Sequence, residues 1–204
     1  MPEDLFQTIE SPSNGIFKDR GSKFLSFAFP VSSVSEIKDI LLELRKKYYD
    51  ARHFCYAYRL GADKQKFRDS DDGEPLNTAG KPIMRQLHSK DVTNILIVVI
   101  RYFGGTLLGV GGLIKAYGNA ASDALNKAKI ITKSEDIPIR INFNYKFNKI
   151  IQKIIKEEKL EIIKQQFEHE CSLILNVRKS KIQRILERFN QIENVKAQLV
   201  MNND

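Results

Sequence analysis

The sequence predicts an α+β protein of two domains, and three observations carry the prediction. The first is a run of six aliphatic residues, Ile95-Leu96-Ile97-Val98-Val99-Ile100, that enters a glycine-rich turn and emerges as a helix. The second is the order of periodic segments from Ile137 onward, which reads βαββαβ, the ferredoxin-like plan. The third is the polar stretch Lys133 to Asp136, which separates two complete hydrophobic patterns and divides the chain into residues 1–136 and 137–204.

Each element has its own reason. Residues 1–14 hold two prolines and little periodicity, and are expected to form a loose arm. Gly15 to Lys18 and Lys23 to Pro30 read as a hairpin turning at Asp19 to Ser22. Ser33-Val34-Ser35-Glu36 is a capping box, and Ile37, Ile40, Leu41 and Leu44 continue it at helical spacing to about Tyr48. His53 to Leu60 alternates as a strand, followed by a short polar strand near Gln65 to Arg68. Pro82 suits the first turn of a helix reaching about His88.

The run Ile95 to Ile100 lacks alternation, so it is expected to be covered on both faces, and it is too short for a membrane span. Gly104, Gly105, Gly109, Gly111 and Gly112 follow it. Two readings of these glycines stand side by side. Either they free backbone N–H groups to converge on an anion at a helix N-terminus, with Arg101 or Lys115 as charge partner, or they supply positive φ and close packing. Gly109-Val110-Gly111-Gly112-Leu113-Ile114 lacks the third small residue of a dinucleotide fingerprint, and no GK[ST] occurs. The helix that follows carries Leu113, Ala116, Tyr117, Ala120, Ala121, Ala124, Leu125 and Ala128 on one face, small enough to approach a sheet closely.

Asp69, Asp71, Asp72 and Glu74 crowd four carboxylates into six residues. Their spacing is not that of an EF-hand, and turn chemistry accounts for them as Asp side chains bonding nearby backbone N–H groups. After Ile130 to Thr132, a closing strand, the second domain reads as strand Ile139 to Phe147 and a helix marked by Ile150, Ile151, Ile154 and Ile155. Strands Glu161 to Glu168 and Cys171 to Arg178, helix Ser180 to Asn190 and strand Val195 to Met201 complete it.

The net charge of +8 divides unevenly: residues 1–136 hold 20 basic and 17 acidic groups, residues 137–204 hold 13 and 8. Lys149, Lys153 and Lys156 share one helix face, and Lys181, Arg184 and Arg188 share another. These six are the candidate nucleic-acid contacts, set against the plainer reading of a solvated face beside Glu157, Glu158 and Glu187. Neither a signal-like segment nor a membrane-length run occurs, so a cytoplasmic protein without a membrane partner is expected. Cys55 and Cys171 form no CxxC motif, and neither metal nor cofactor is expected.

The string Arg101-Tyr102-Phe103-Gly104-Gly105-Thr106-Leu107-Leu108-Gly109-Val110-Gly111-Gly112-Leu113, with Asp72-Gly73-Glu74-Pro75, Arg20-Gly21-Ser22-Lys23-Phe24 and Ala51-Arg52-His53, resembles the IMPACT/YigZ family. The resemblance implies a ribosomal-protein-like α+β fold for the N-terminal domain and a ferredoxin-like C-terminal domain similar to a domain of elongation factor G. It also implies a role in translation, since eukaryotic relatives compete for an activator of a stress-responsive initiation-factor kinase. His53, Asp72 and Glu74 lie in its most characteristic motifs and are expected to mark a functional surface of the first domain.

Catalytic residues are not assigned. His53 and Cys55 lie two apart on a strand, where side chains diverge too far for a dependable nucleophile–base pair. The expected function is a non-enzymatic regulator of the translation apparatus that binds RNA, the ribosome or a translation-associated protein. The alternative is a small enzyme acting on a phosphorylated substrate held at the glycine-rich loop.

Overall fold

The computed structural model describes residues 4–167 and 171–200. They fall into two compact units, one of residues 5–133 and one that joins Asp4 to the chain from Ser134 onward.

The larger unit contains β1 (Leu5–Ile9), β2 (Ser13–Asp19), β3 (Ser22–Pro30), α1 (Val34–Lys47), β4 (His53–Leu60), β5 (Lys66–Ser70), α2 (Gly80–Ser89), β6 (Ile95–Tyr102) and α3 (Gly109–Lys127). β7 (Ile130–Ser134) closes it. β2, β3, β6, β4 and β5 form one antiparallel sheet in that spatial order. β6 is therefore central, as a strand apolar on both faces must be. Ile95, Ile97 and Val99 pack with side chains of α2 and α3, whereas Leu96, Val98 and Ile100 pack with Ile37 and Leu44 of α1. Burying each such side chain is worth about 1.5–3 kcal/mol, which makes β6 the centre of gravity of the unit. The inner face of α3 presents Ala116, Ala120, Ala121 and Ala124, all fully buried, so the helix lies close on the sheet.

α1 is capped as the sequence predicts at one of its two contacts: Ser33 Oγ accepts from Glu36 N–H at 3.2 Å. The returning Glu36 carboxylate takes the N–H of Ser32, one residue earlier than the box requires. The β2–β3 hairpin turns on Arg20 and Gly21, with φ of 44° and 79°. Two positive φ values in a two-residue loop match the twist of the flanking strands.

The described residues 4–14 do not form the expected loose arm. β1 pairs with β7 in a separate two-stranded sheet, burying Phe6 and Ile9, and β2 begins at Ser13. Lys133 to Asp136 is likewise no free linker, because β7 runs to Ser134 and β8 starts at Asp136. A polar strand that finds its partner far away in sequence looks like a loop when read locally.

The smaller unit is built from β8 (Asp136–Phe143), α4 (Asn148–Glu158), β9 (Glu161–Phe167), β10 (Cys171–Arg178), α5 (Ile182–Asn190) and β11 (Lys196–Leu199). Its sheet is antiparallel in the order β11-β8-β10-β9, the ferredoxin-like arrangement. Ile139, Ile141, Phe143, Leu173, Leu175 and Val177 turn one face toward Ile151, Ile154, Ile155, Ile185 and Phe189 of the helices. The expected strand to Phe147 ends at Phe143, and Tyr145–Phe147 instead form a helical turn whose cap is Asn144. Glu168, His169 and Met201 lie outside the described residues.

Asp4 belongs to this unit through its side chain. Its carboxylate accepts from Arg178 Nε at 2.6 Å and Nη2 at 2.9 Å, and from Ser180 N–H at 3.2 Å. The Arg178 guanidinium holds it well below the usual carboxylate range.

Candidate functional site

The register of the larger sheet sets Phe24, Arg101 and His53 in one row, with Arg101 on β6 between Phe24 on β3 and His53 on β4. By alternation from Val99 and Cys55, Arg101 and His53 face the α2/α3 side of the sheet, where Phe24 is also buried. A cation on that face needs a partner, because its side chain is only 8% exposed. Glu74 supplies it: Arg101 Nη1 donates to Glu74 Oε1 at 2.7 Å, and Tyr117 of α3 donates its hydroxyl to the same oxygen at 2.7 Å. The guanidinium carbon sits 5.6 Å from the Phe24 ring centroid and 5.5 Å from that of Phe103, a cation between two aromatic faces. Tyr117 in turn meets Phe24 edge-on at 5.1 Å.

The acidic turn is built around this pair. Asp71 accepts from Asn77 N–H at 2.7 Å, Ala79 N–H at 2.9 Å and Gly80 N–H at 2.8 Å, which caps the start of α2. Asp72 accepts from Phe54 N–H at 2.7 Å and from Arg45 at 2.8 Å. The expected turn chemistry therefore describes Asp71, whereas Asp72 reaches β4 and α1 and Glu74 is not solvated. His53 Nδ1 lies 3.0 Å from the Asp72 carbonyl, which can only accept, so Nδ1 carries the proton. Gly73 packs there because an added Cβ would stand 3.3 Å from His53 Nδ1 and its φ is 87°.

His53 and Cys55 do not pair as nucleophile and base: each is turned to a backbone carbonyl of the acidic turn. Cys55 Sγ donates to the Asp71 carbonyl at 2.9 Å, and burial pushes its thiol far above the usual thiol range. Tyr117 is also held far above the ordinary phenol value by burial and by the neighbouring Cys55. No group of three or more metal-ligating side chains stands together among the described residues.

The glycine-rich loop divides between the two readings of its glycines. A Cβ on Gly104 would come within 1.9 Å of the Gly21 carbonyl carbon, so Gly104 lets this loop lie directly on the β2–β3 turn. Gly105 and Gly109 have φ of 86° and 71°. Gly111 and Gly112 lie in the first turn of α3; Gly112 sits against Leu108, whereas a Cβ on Gly111 would meet nothing within 4 Å. α3 has no side-chain cap, and Lys115 is exposed on its second turn. Arg101 is committed to Glu74 beneath the loop, leaving Lys115 as the named cation that faces solvent. Around the loop, Leu76, Phe103, Leu107 and Val110 are 83%, 58%, 81% and 60% exposed.

In the smaller unit, the six predicted basic residues lie on α4, α5 and the turn before α5. Arg184 is paired with Glu158, Arg188 with both Glu157 and Glu158, and Lys153 stands 3.9 Å from Glu157. Lys149, Lys156 and Lys181 are exposed. Half of the predicted patch is thus matched to carboxylates of α4.

Tyr117, Asp71, Phe24 and Phe103 were not among the predicted site residues. Tyr117 was visible in the sequence only as one aromatic among alanines, whose hydroxyl had to find a buried acceptor.

The fold and site define a two-unit α+β protein whose motif residues are spent on holding a loop in place. A family model, the Impact N-terminal domain, matches residues 20–125. An IMPACT family member of Haemophilus influenzae is 32% identical over 164 residues, 79% of this chain and 80% of that protein. IMPACT family member YigZ of Escherichia coli is 41% identical over 119 residues, 57% of this chain and 58% of that protein, so the chain spans little more than half of YigZ. A solved structure of a hypothetical protein shares the fold with a TM-score of 0.75 at 28% identity, covering 98% of this chain and 99% of that one. The chain belongs to the IMPACT family.

Proposed function

We propose that the chain is a non-enzymatic, cytoplasmic regulator of translation that binds a translation-associated protein through the loop surface of its larger unit. Family membership supports the translation role, through what the resemblance of its motifs implies. The observation that carries the binding mode is the division of labour at the site. The polar motif residues Glu74, Arg101, Tyr117, Asp71 and Asp72 bond to one another, to Arg45 and to backbone, with Arg101 Nε buried and unpartnered among the described residues, whereas Leu76, Phe103, Leu107 and Val110 stand in solvent. A reaction centre leaves acids and bases free to meet a substrate; a rigid recognition surface satisfies them internally and presents apolar anchors.

The test is affinity purification of the tagged chain from cells beside a Leu76→Ser, Leu107→Ser, Val110→Ser variant. The wild type is expected to retain ribosome-associated or other translation proteins, and the variant to lose them at unchanged thermal stability. An identical captured set from the variant would overturn the loop surface. Capture of metabolic enzymes or a small phosphorylated ligand alone would overturn the translation role.

A further inference from the structure

The helices of the smaller unit cover one face of its sheet, and strand alternation turns the other face outward. The cross-strand register places Lys164, Arg140 and Gln198 in one row of that outer face, and Gln166, Asn142 and Lys196 in the next. With Ile174 and Ser172 of β10 between them, these two rows hold three basic residues, three carboxamides and no carboxylate; the next row carries Glu161, which accepts from Asn176. The helix face contrasts with this, since Glu157 and Glu158 stand among its arginines. At one end of the outer face lies a pocket of about 420 Å³, lined by Asn142, Phe143, Asn144, Asn194 and Lys196. Among the described residues, the side chains of Asn142, Asn194 and Lys196 make no hydrogen bond or ion pair.

We infer that this outer sheet face binds single-stranded RNA, with the pocket between β8 and β11 taking one base. Asparagine and glutamine side chains offer a donor and an acceptor together, which is what the edge of an unpaired base or a ribose 2′-hydroxyl requires. Lys164 on β9, Arg140 on β8 and Lys196 on β11 are spread across the sheet, with β10 between the first two, and supply the positive track for the phosphates. The pocket falls in the range of small-ligand sites, while the sheet rows on either side of it remain open, as a strand passing across the face demands. Neither row carries an aromatic side chain, so binding rests on hydrogen bonds and charge rather than stacking, and is expected to be weak and strongly salt-dependent. Three phosphate contacts give a slope of log K on log salt of about −2, at roughly −0.7 per contact on a single strand. An acidic protein segment would use the lysines but leave the carboxamides without a purpose. This binding is independent of the loop surface proposed above, and it succeeds or fails separately.

The experiment titrates a fluorescently labelled single-stranded RNA of mixed sequence against the full chain at several salt concentrations. A Lys164→Gln, Asn142→Ala, Lys196→Gln variant is expected to bind at least fivefold more weakly, with a slope shallower by about 1.4 for its two missing lysines. A Lys149→Gln, Lys156→Gln variant on the helix face is expected to bind like the wild type. All five positions are at the surface, and circular dichroism verifies that each variant is folded. The inference is overturned if the wild type does not bind RNA at 50 mM salt, if the sheet variant binds as the wild type does, or if the helix variant loses binding instead. Equal binding of single-stranded DNA of the same sequence would overturn the assignment to RNA. Displacement of the RNA by polyglutamate at equal concentration would overturn it in favour of an acidic protein partner.

Discussion

Glu74 receives both a guanidinium and a phenol on one oxygen, and no other described side chain stands in to neutralise Arg101. Glu74→Gln leaves a cation buried without its counter-charge, and chemical denaturation is expected to show a loss of about 3–5 kcal/mol, the range for breaking one side of a buried pair. Exchanging Tyr117 for Phe is expected to cost less, about 1–2 kcal/mol, since one neutral donor is lost and the ion pair remains. Tyr102 gives a pH-dependent counterpart. Its hydroxyl donates to Asp50 at 2.9 Å, and partial burial together with that carboxylate pushes its pKa up to about 12. The folded state thus holds this proton more tightly than the unfolded chain, so the contribution is complete below pH 10 and is lost between pH 10 and 12. Alkaline unfolding of the Tyr102→Phe variant should lack that step, and an unchanged profile would show that Tyr102 does not set it. The sequence exposes the local part of this chemistry: Asp71 answers backbone groups of its own turn, whereas Asp72 reaches Phe54 N–H and Arg45 from 18 and 27 residues away. It hides Glu74, whose partners lie 27 and 43 residues away, because a carboxylate in an acidic loop looks the same whether it is solvated or buried.

At the scale of elements, the glycine-rich segment makes opposite predictions for neighbouring residues. Gly104→Ala drives a methyl group into the Gly21 backbone and should lower stability by about 1–3 kcal/mol, the overpacking range. Gly111→Ala places its methyl group in open space inside the first turn of α3, and thermal unfolding should show a gain of up to about 1 kcal/mol. If a ligand does approach the uncapped start of α3, this same substitution will weaken its binding while stabilising the fold. The elements legible in the sequence are those whose pattern is self-sufficient. β6 announces burial on both faces by its unbroken aliphatic run, α1 carries its own cap, and in the smaller unit β10, α4 and α5 set their core residues at regular spacing, whereas β9 is exposed throughout. β7 is legible at Ile130 to Thr132, but β1 escapes such reading because it is five residues long and its partner β7 lies at the opposite end of the larger unit.

For the whole molecule, Asp4 is the residue through which the start of the chain joins the smaller unit. Its folded-state pKa is depressed, so the stability it contributes is present above the ordinary aspartate value, near 3.9, and is lost as pH falls through the lower folded value. Asp4→Asn should therefore lower the unfolding temperature of the smaller unit at pH 7 and make it less sensitive to acid below pH 4, a difference that calorimetry across pH would resolve. The same contact orders events in time. β1 leaves the ribosome well before β7, and Asp4 before Arg178, 174 residues further on. β1 must wait for residues 92–94 and then for β7, and Asp4 must wait for Arg178; closing such long loops is an entropic step that local helices do not face. A chain interrupted after α3 would hold a finished central sheet and a first strand joined to residues 92–94 on one side but lacking β7 on the other, an open edge of the kind that chaperones and proteases recognise.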